Sequence, residues 1–276
     1  MEVALITVGD ELLSGDTVNT NANWLAARLA DRGVSVTRIL SVPDDRETIA
    51  ERVAAYGDAF DRVIVTGGIG GTPDDVTVEA VADAFGRDMT VSELARADVE
   101  ERLAEIATRI PDRDLDVDVD REAALPKGSR PLLNGAGLAP GCVLENVYVL
   151  PGIPEELKAM FESVADEFAG ERRSRFLYTV EPEANIVPAL EEAMERYEVT
   201  VGCYPDREAG HNRLKLVGTD DGELVAGSEW LLGAIDASET PVSRDWGDGD
   251  DADEPTNEDS DRSTPDRSER DPPRTG

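Results

Sequence analysis

A parallel-sheet α/β protein is the fold class this sequence predicts, and three observations carry the prediction. The run Val3 to Val8 and the short run Val63, Ile64, Val65 are apolar without alternation, the pattern of strands covered on both faces. Each run leads directly into a glycine-containing polar turn, GDELLSGD after the first and TGGIGGTPDD after the second. Between them the pattern reads helix, strand, helix, so the chain opens as a doubly wound sheet with helices on both faces.

The remaining elements follow from local signals. Thr20 or Asn21 is placed to cap a helix through Trp24, Leu25 and Leu29 that Gly33 ends. A strand runs through Val34, Val36, Ile39 and Leu40, and a helix spans Arg46 to about Phe60. After the second glycine turn, Val78, Val81, Ala82 and Phe85 share one helical face. A charged amphipathic helix is expected from Val91 to Arg109. The DRDLDVDVDRE stretch after it is too acidic for a core and reads as an exposed excursion; it lacks the glycine and closing glutamate of an EF-hand loop. Strand character returns around LLNGAGLAPGCVLE and VYVLPG. Leu157, Met160, Phe161, Val164, Ala165 and Phe168 then recur at helical spacing and close a first domain, residues 1–170. Residues 171–237 read as a small α+β domain: strand FLYTVE, helix Ile186 to Tyr197, strands VTVGCYP and RLKLVG, helix Leu224 to Ile235. Residues 238–276 offer almost nothing to bury. From Glu239 onward there are 13 acidic and 5 basic side chains among Pro, Ser, Thr and Gly, so a disordered acidic tail is expected.

Composition narrows the function classes. Sixty acidic against 27 basic side chains leave a net charge of −33, and the sequence pI is near 4.2. Only Lys127, Lys158 and Lys215 are lysine. Such a surface repels nucleic acid and suits a halophilic, salt-rich cytoplasm, where a Debye length of roughly 3 Å at about 1 M salt screens self-repulsion. No apolar run approaches the roughly 20 residues that span a bilayer, and the first residues lack the basic start and cleavage site of a secretory signal. A cytoplasmic protein with no membrane and no nucleic-acid partner is expected. Cys142 and Cys203 lack CxxC spacing and His211 is the one histidine, so thiol–histidine catalysis and a zinc site are poorly supplied.

Three segments carry chemistry, and in a parallel sheet the turns after the strands gather at one edge. In TGGIGGTPDD, Gly67, Gly68, Gly70 and Gly71 let backbone amides point together at an anion, with the following helix adding its positive end. Phosphate is the natural guest, helped by the hydroxyls of Thr66 and Thr72. With so few lysines, Asp74 and Asp75 gain interest as ligands of a divalent ion, although both could simply cap the helix. GDELLSGDTVNTN offers Asp10, Glu11, Ser14, Asn19 and Asn21 to the same edge. NGAGLAPG, residues 134–141, and LPGIPEE, residues 150–156, supply turns stiffened by proline, with Pro154 and Glu155 opening a helix.

Taken together, GDELLSG with NTN, TGGIGGTPDDVT, and APG followed by LPGIPEE resemble the molybdopterin-binding domain of MoaB and Mog proteins, most closely the N-terminal domain of CinA, over residues 1 to about 170. The unit after Gly170 is similar to the KH-like domain that follows in CinA-type proteins. An acidic tail stands in place of their C-terminal deamidase domain, so nicotinamide mononucleotide deamidation is not implied. Gly71 also departs from the proline more usual there. The resemblance implies a three-layer α/β/α sandwich that binds a nucleotide or pterin phosphate, in a superfamily whose members form homo-oligomers. It makes Asp75 the first catalytic candidate and Asp44 the second, although Asp44 could equally cap the Arg46 helix. Gly67, Gly68, Gly70 and Thr72 would hold phosphates. Gly9, Asp10, Glu11 and Ser14 would line the nucleotide or pterin side, and Pro151, Gly152 and Pro154 the far wall. The activity implied is metal-dependent hydrolysis of ADP-ribose-like pyrophosphates with Mg²⁺, Mn²⁺ or Co²⁺ on Asp74 and Asp75. The alternatives are molybdenum cofactor biosynthesis with molybdopterin as ligand, and a non-catalytic nucleotide- or pterin-binding sensor or scaffold.

Overall fold

The computed structural model describes residues 1–109 and 116–243. The chain opens with β1 (Glu2–Val8), a short helix α1 (Asp10–Ser14), α2 (Thr20–Asp31), β2 (Ser35–Val42), α3 (Arg46–Ala59), β3 (Arg62–Thr66) and α4 (Thr77–Ala84). A ribbon of β4 (Met89–Val91) and β5 (Ala124–Pro126) brackets α5 (Glu93–Arg109) and α6 (Val119–Glu122). Then come β6 (Arg130–Leu132), β7 (Gly141–Leu144), β8 (Val147–Leu150) and α7 (Pro154–Val164). The main sheet has the order β2-β1-β3-β8-β7-β6. Its first four strands are parallel, and β7 and β6 add an antiparallel edge.

Burial explains the unbroken apolar runs. Ile6, Val8, Val63, Val65 and Val149 pack under Ile49 and Val53 of α3 and Val78 and Val81 of α4. Leu5, Ile64, Tyr148 and Leu150 pack under Leu25 and Leu29 of α2 and Leu157, Met160 and Phe161 of α7. Successive residues of one strand therefore enter opposite cores, and each buried aliphatic contributes about 1.5–3 kcal/mol. The result is the three-layer α/β/α sandwich the sequence predicts.

Local differences have local causes. GDELLSGD forms a helical turn rather than a plain loop, ended by Gly15 at φ +81. Asn19, not Thr20 or Asn21, caps α2: its carbonyl accepts from Ala22 N–H while its amide donates to Thr7 Oγ1 at 2.9 Å, a tertiary bond that selects it. The acidic stretch after α5 is not wholly an excursion, because Asp118 caps α6 and turns Glu122 inward; residues 110–115, which hold its start, lie outside the described residues.

A close approach anchors the end of the first unit. Gly33 sits at φ +75, and a β-carbon there would meet the Gly170 carbonyl at 2.5 Å; Gly170 N–H in turn donates to the Arg32 carbonyl. The second unit comprises β9 (Arg173–Thr179), α8 (Glu183–Arg196), β10 (Thr200–Asp206), β11 (His211–Gly218), α9 (Asp221–Ala234) and β12 (Ala237–Ser238). Its antiparallel sheet, in the order β10-β11-β9-β12, buries Leu177, Leu214 and Leu216 under Ile186, Leu190, Leu224 and Leu231 of the two helices. Residues 238–243 belong with this unit rather than with a tail: Ser238 pairs with Tyr178, Glu239 with Arg175, and the Val242 carbonyl with His211 Nδ1. The rest of the expected disordered tail, residues 244–276, lies outside the described residues. Among the described residues no helix is long and apolar enough to cross a membrane.

Candidate functional site

The C-terminal ends of β1, β2, β3 and β8 open on one cleft of about 680 Å³. The β3 turn shapes its floor. Gly67 and Gly68 stand at φ +100 and +64, and a side chain at Gly67 would drive into the Val8 carbonyl, so only glycine fits. Buried Thr77 fixes the turn: its hydroxyl donates to the Gly67 carbonyl at 2.8 Å and its N–H to the Gly68 carbonyl at 2.9 Å. The wall across the cleft is fastened in the same way. Thr66 Oγ1 donates to the Pro151 carbonyl and the Asn21 amide to the Gly152 carbonyl, both at 2.7 Å.

The two lead aspartates are placed differently. Asp75 Oδ2 accepts from Thr72 N–H at 2.9 Å and Thr72 Oγ1 at 2.5 Å, and the same hydroxyl lies 2.5 Å from Asp74 Oδ1. A hydroxyl has one proton, so two carboxylates share one donor. That bond holds the Asp74 carboxyl below its ordinary range. Asp44 is not the cap of α3: Asp45 accepts from Thr48 N–H and takes that role. Asp44 is left free to accept from Asp10 N–H at 2.8 Å, beside Gly68. Burial raises its pKa, the Asp10 N–H opposes this, and the carboxylates of Asp10, Glu11 and Asp74 add to it.

The cleft brings together Gly9, Glu11, Asp44, Gly67, Gly68, Gly70, Asp74, Asp75, Pro151, Gly152 and Pro154. Six expected residues stand apart from its lining, Asn19 and Asn21 through the cap and wall bonds already described. Asp10 contributes a backbone N–H, Thr66 turns its hydroxyl to Pro151, Thr72 serves the two aspartates, and Ser14 faces Asp16 in its own loop.

Sequence reasoning missed two contributors. Glu122, delivered by α6, lies against Gly71; burial pushes its carboxyl up, with Arg121 opposing and Asp75, Asp118 and Glu79 adding. The Asp118 cap was the available signal for that turn. Asn134 is buried and donates to Glu156 Oε2 at 2.7 Å and to the Ala139 carbonyl at 2.9 Å, while its own carbonyl accepts from Gly137 N–H at 2.8 Å. It fastens the NGAGLAPG loop to α7, but Asn-Gly in a sequence reads only as a turn.

Glu11, Asp44, Asp74, Asp75, Glu122 and Glu156 line the cleft; among the described residues no lysine or arginine does, and Arg121 stands in the adjoining hollow. Among the described residues, no three His, Cys, Asp or Glu side chains converge as a metal set.

The comparisons with known proteins agree with this architecture. A family model described as a probable molybdopterin binding domain matches residues 4–170. The chain belongs to that family, and CinA is among its relatives. Protein TK1472 of Thermococcus kodakarensis is 35% identical over 244 residues, 84% of this chain and 96% of that one. A CinA-like protein of Citrifermentans bemidjiense is 43% identical over 175 residues, 62% of this chain and 41% of its own length. The crystal structure of the protein CinA with unknown function from Thermoplasma acidophilum has a TM-score of 0.53 at 32% identity, covering 61% of this chain and 99% of that one.

Proposed function

We propose that the cleft hydrolyses nucleotide pyrophosphates of the ADP-ribose class with a divalent ion. One observation carries the reading: a glycine turn stands among six carboxylates, and among the described residues no lysine or arginine lines the cleft itself, Arg121 standing in the adjoining hollow. Asp74 and Asp75 are hard oxygen donors that would hold Mg²⁺, Mn²⁺ or Co²⁺. Bound there, the ion supplies positive charge to the phosphates and acidity to water. The protein does the rest. Amides of the Gly68–Gly71 segment meet charge growing on the phosphates as the P–O bond breaks, the Gly67 N–H being given to the Leu150 carbonyl. Asp44, anchored by Asp10 N–H beside Gly68, accepts the proton of the attacking water. Pro151, Gly152 and Pro154 form a stiff wall that orients the substrate.

The test is AMP release from ADP-ribose by the full chain in about 1 M KCl, with each metal in turn. The expected result is turnover that falls at least about 100-fold in Asp75→Asn with unchanged thermal unfolding. Absence of turnover with every metal overturns the reading. The family description favours a second reading, molybdopterin binding for cofactor assembly; a fluorescent pterin that copurifies, without AMP release, would support it.

A further inference from the structure

Among the described residues the second unit covers its sheet on one side only. On the open side, cross-strand rows place Tyr204, Arg213 and Tyr178 together, and Gly202, Lys215 and Phe176 beside them. Phe176 and Tyr204 are 39% and 50% exposed. Gly202 leaves room for the Tyr204 phenol to lie along the strand, since a β-carbon there would meet its Oη at 2.7 Å. The Arg213 guanidinium is held over both the Phe176 and Tyr204 rings, at 5.6 and 5.9 Å, and Lys215 Nζ stands 5.9 Å from the Phe176 centroid. Among the described residues neither cation has a carboxylate within ion-pair distance, and Asp206 is the one acid on this face, in the end row opposite His211. In a chain of net charge −33, these are cations braced by aromatic rings and left for an anionic occupant.

At the His211 end the face runs into a hollow of about 490 Å³ lined by Val180, Pro182, Pro205 and His211. Its rim is where the described chain stops. His211 Nδ1 pairs with the Val242 carbonyl at 2.6 Å and its ring meets Tyr178 edge-on. The residues that follow Ser243 are RDWGDGDDADE, with Trp246 three positions on and five acids between Asp248 and Glu254.

We propose that residues 244–254 dock on this unit, with Trp246 in the hollow and the acidic run over Arg213 and Lys215. Three residues reach at most about 10 Å, enough for Trp246 to turn back from the rim into the hollow. The tether holds the acidic run at an effective concentration on the order of millimolar, so weak ion pairs suffice. Trp246 supplies the part that salt does not screen. A flexible single-stranded nucleic acid could match the same rings and cations, but the chain already carries an acidic segment that begins at the rim.

The test is hydrogen exchange of the full chain in about 1 M KCl, compared with Trp246→Ala and with the double variant Arg213→Glu, Lys215→Glu. The expected result is amides of residues 244–254 slowed about tenfold or more relative to an unstructured peptide, with the slowing lost in Trp246→Ala and reduced in the double variant. Exchange of these amides at unstructured rates in the parent chain overturns the proposal. So does saturable binding of a labelled single-stranded oligonucleotide to the intact chain that is abolished by the double variant, because the face is then open.

Discussion

The two sheets of this molecule make different surfaces available. The first is buried on both faces, so a ligand meets only its C-terminal edge, where glycine turns present backbone. Among the described residues the second is buried under helices on one face and presents side chains on the other. An edge built of backbone is intolerant, because each N–H depends on torsion angles a neighbouring carbonyl enforces; a face built of long side chains adjusts.

Matched substitutions break or sharpen this contrast. Gly67→Ala should have the largest effect, about 3 kcal/mol or more, since it adds strain at positive φ to a collision with the Val8 backbone; a urea midpoint unchanged within error would refute the edge's rigidity. Asn134→Ala should lower stability by about 2 kcal/mol by leaving loop amides and Glu156 without partners, and ligand affinity should fall with it in calorimetric titration.

Glu122→Gln should act in the opposite direction. Burial raises this carboxyl above its ordinary value of 4.5, so the folded chain holds the proton more tightly than the unfolded one. Its contribution to stability is complete below that range and is lost as pH rises through the folded value. At pH 7 the variant should melt about 1–3 °C higher, the gain being small because the group is partly solvated and screened, and the difference should vanish toward pH 4. A melting curve with no pH-dependent difference would count against a desolvated Glu122. Gly202→Ala should be the mildest, within about 0.5 kcal/mol, because the atom it displaces is the end of the Tyr204 side chain. A loss comparable to that at Gly67 would remove the distinction between edge and face.

The same contrast explains what was legible in the sequence. Val3 to Val8 and Val63 to Val65 are unbroken apolar runs, and glycines 67, 68, 70 and 71 stand directly after the second, so the sheet and its glycine turn could be read. Three choices could not. Asn19 caps α2 in preference to Thr20 because Thr7, on a separate strand, holds its amide. Asp45 caps α3 and leaves Asp44 to the loop of β1, a decision made by the Asp10 N–H. Glu122 comes from a stretch whose composition is that of exposed chain and whose burial depends on Gly71 and Asp75 being in place. Each depends on atoms far away in sequence, where local propensity carries no information.

Strand order also sets a timetable for synthesis. β3 borders β1 on one side and β8 on the other, with Val63 opposite Val147. At roughly 5–20 residues per second, on the order of ten seconds separate the emergence of these two strands from a ribosome. Throughout that interval the nascent sheet has an apolar, unpaired border next to the unfinished glycine turn, the kind of border that recruits other chains. The border closes only when β8 arrives and pairs with β3 from Val63 to Thr66.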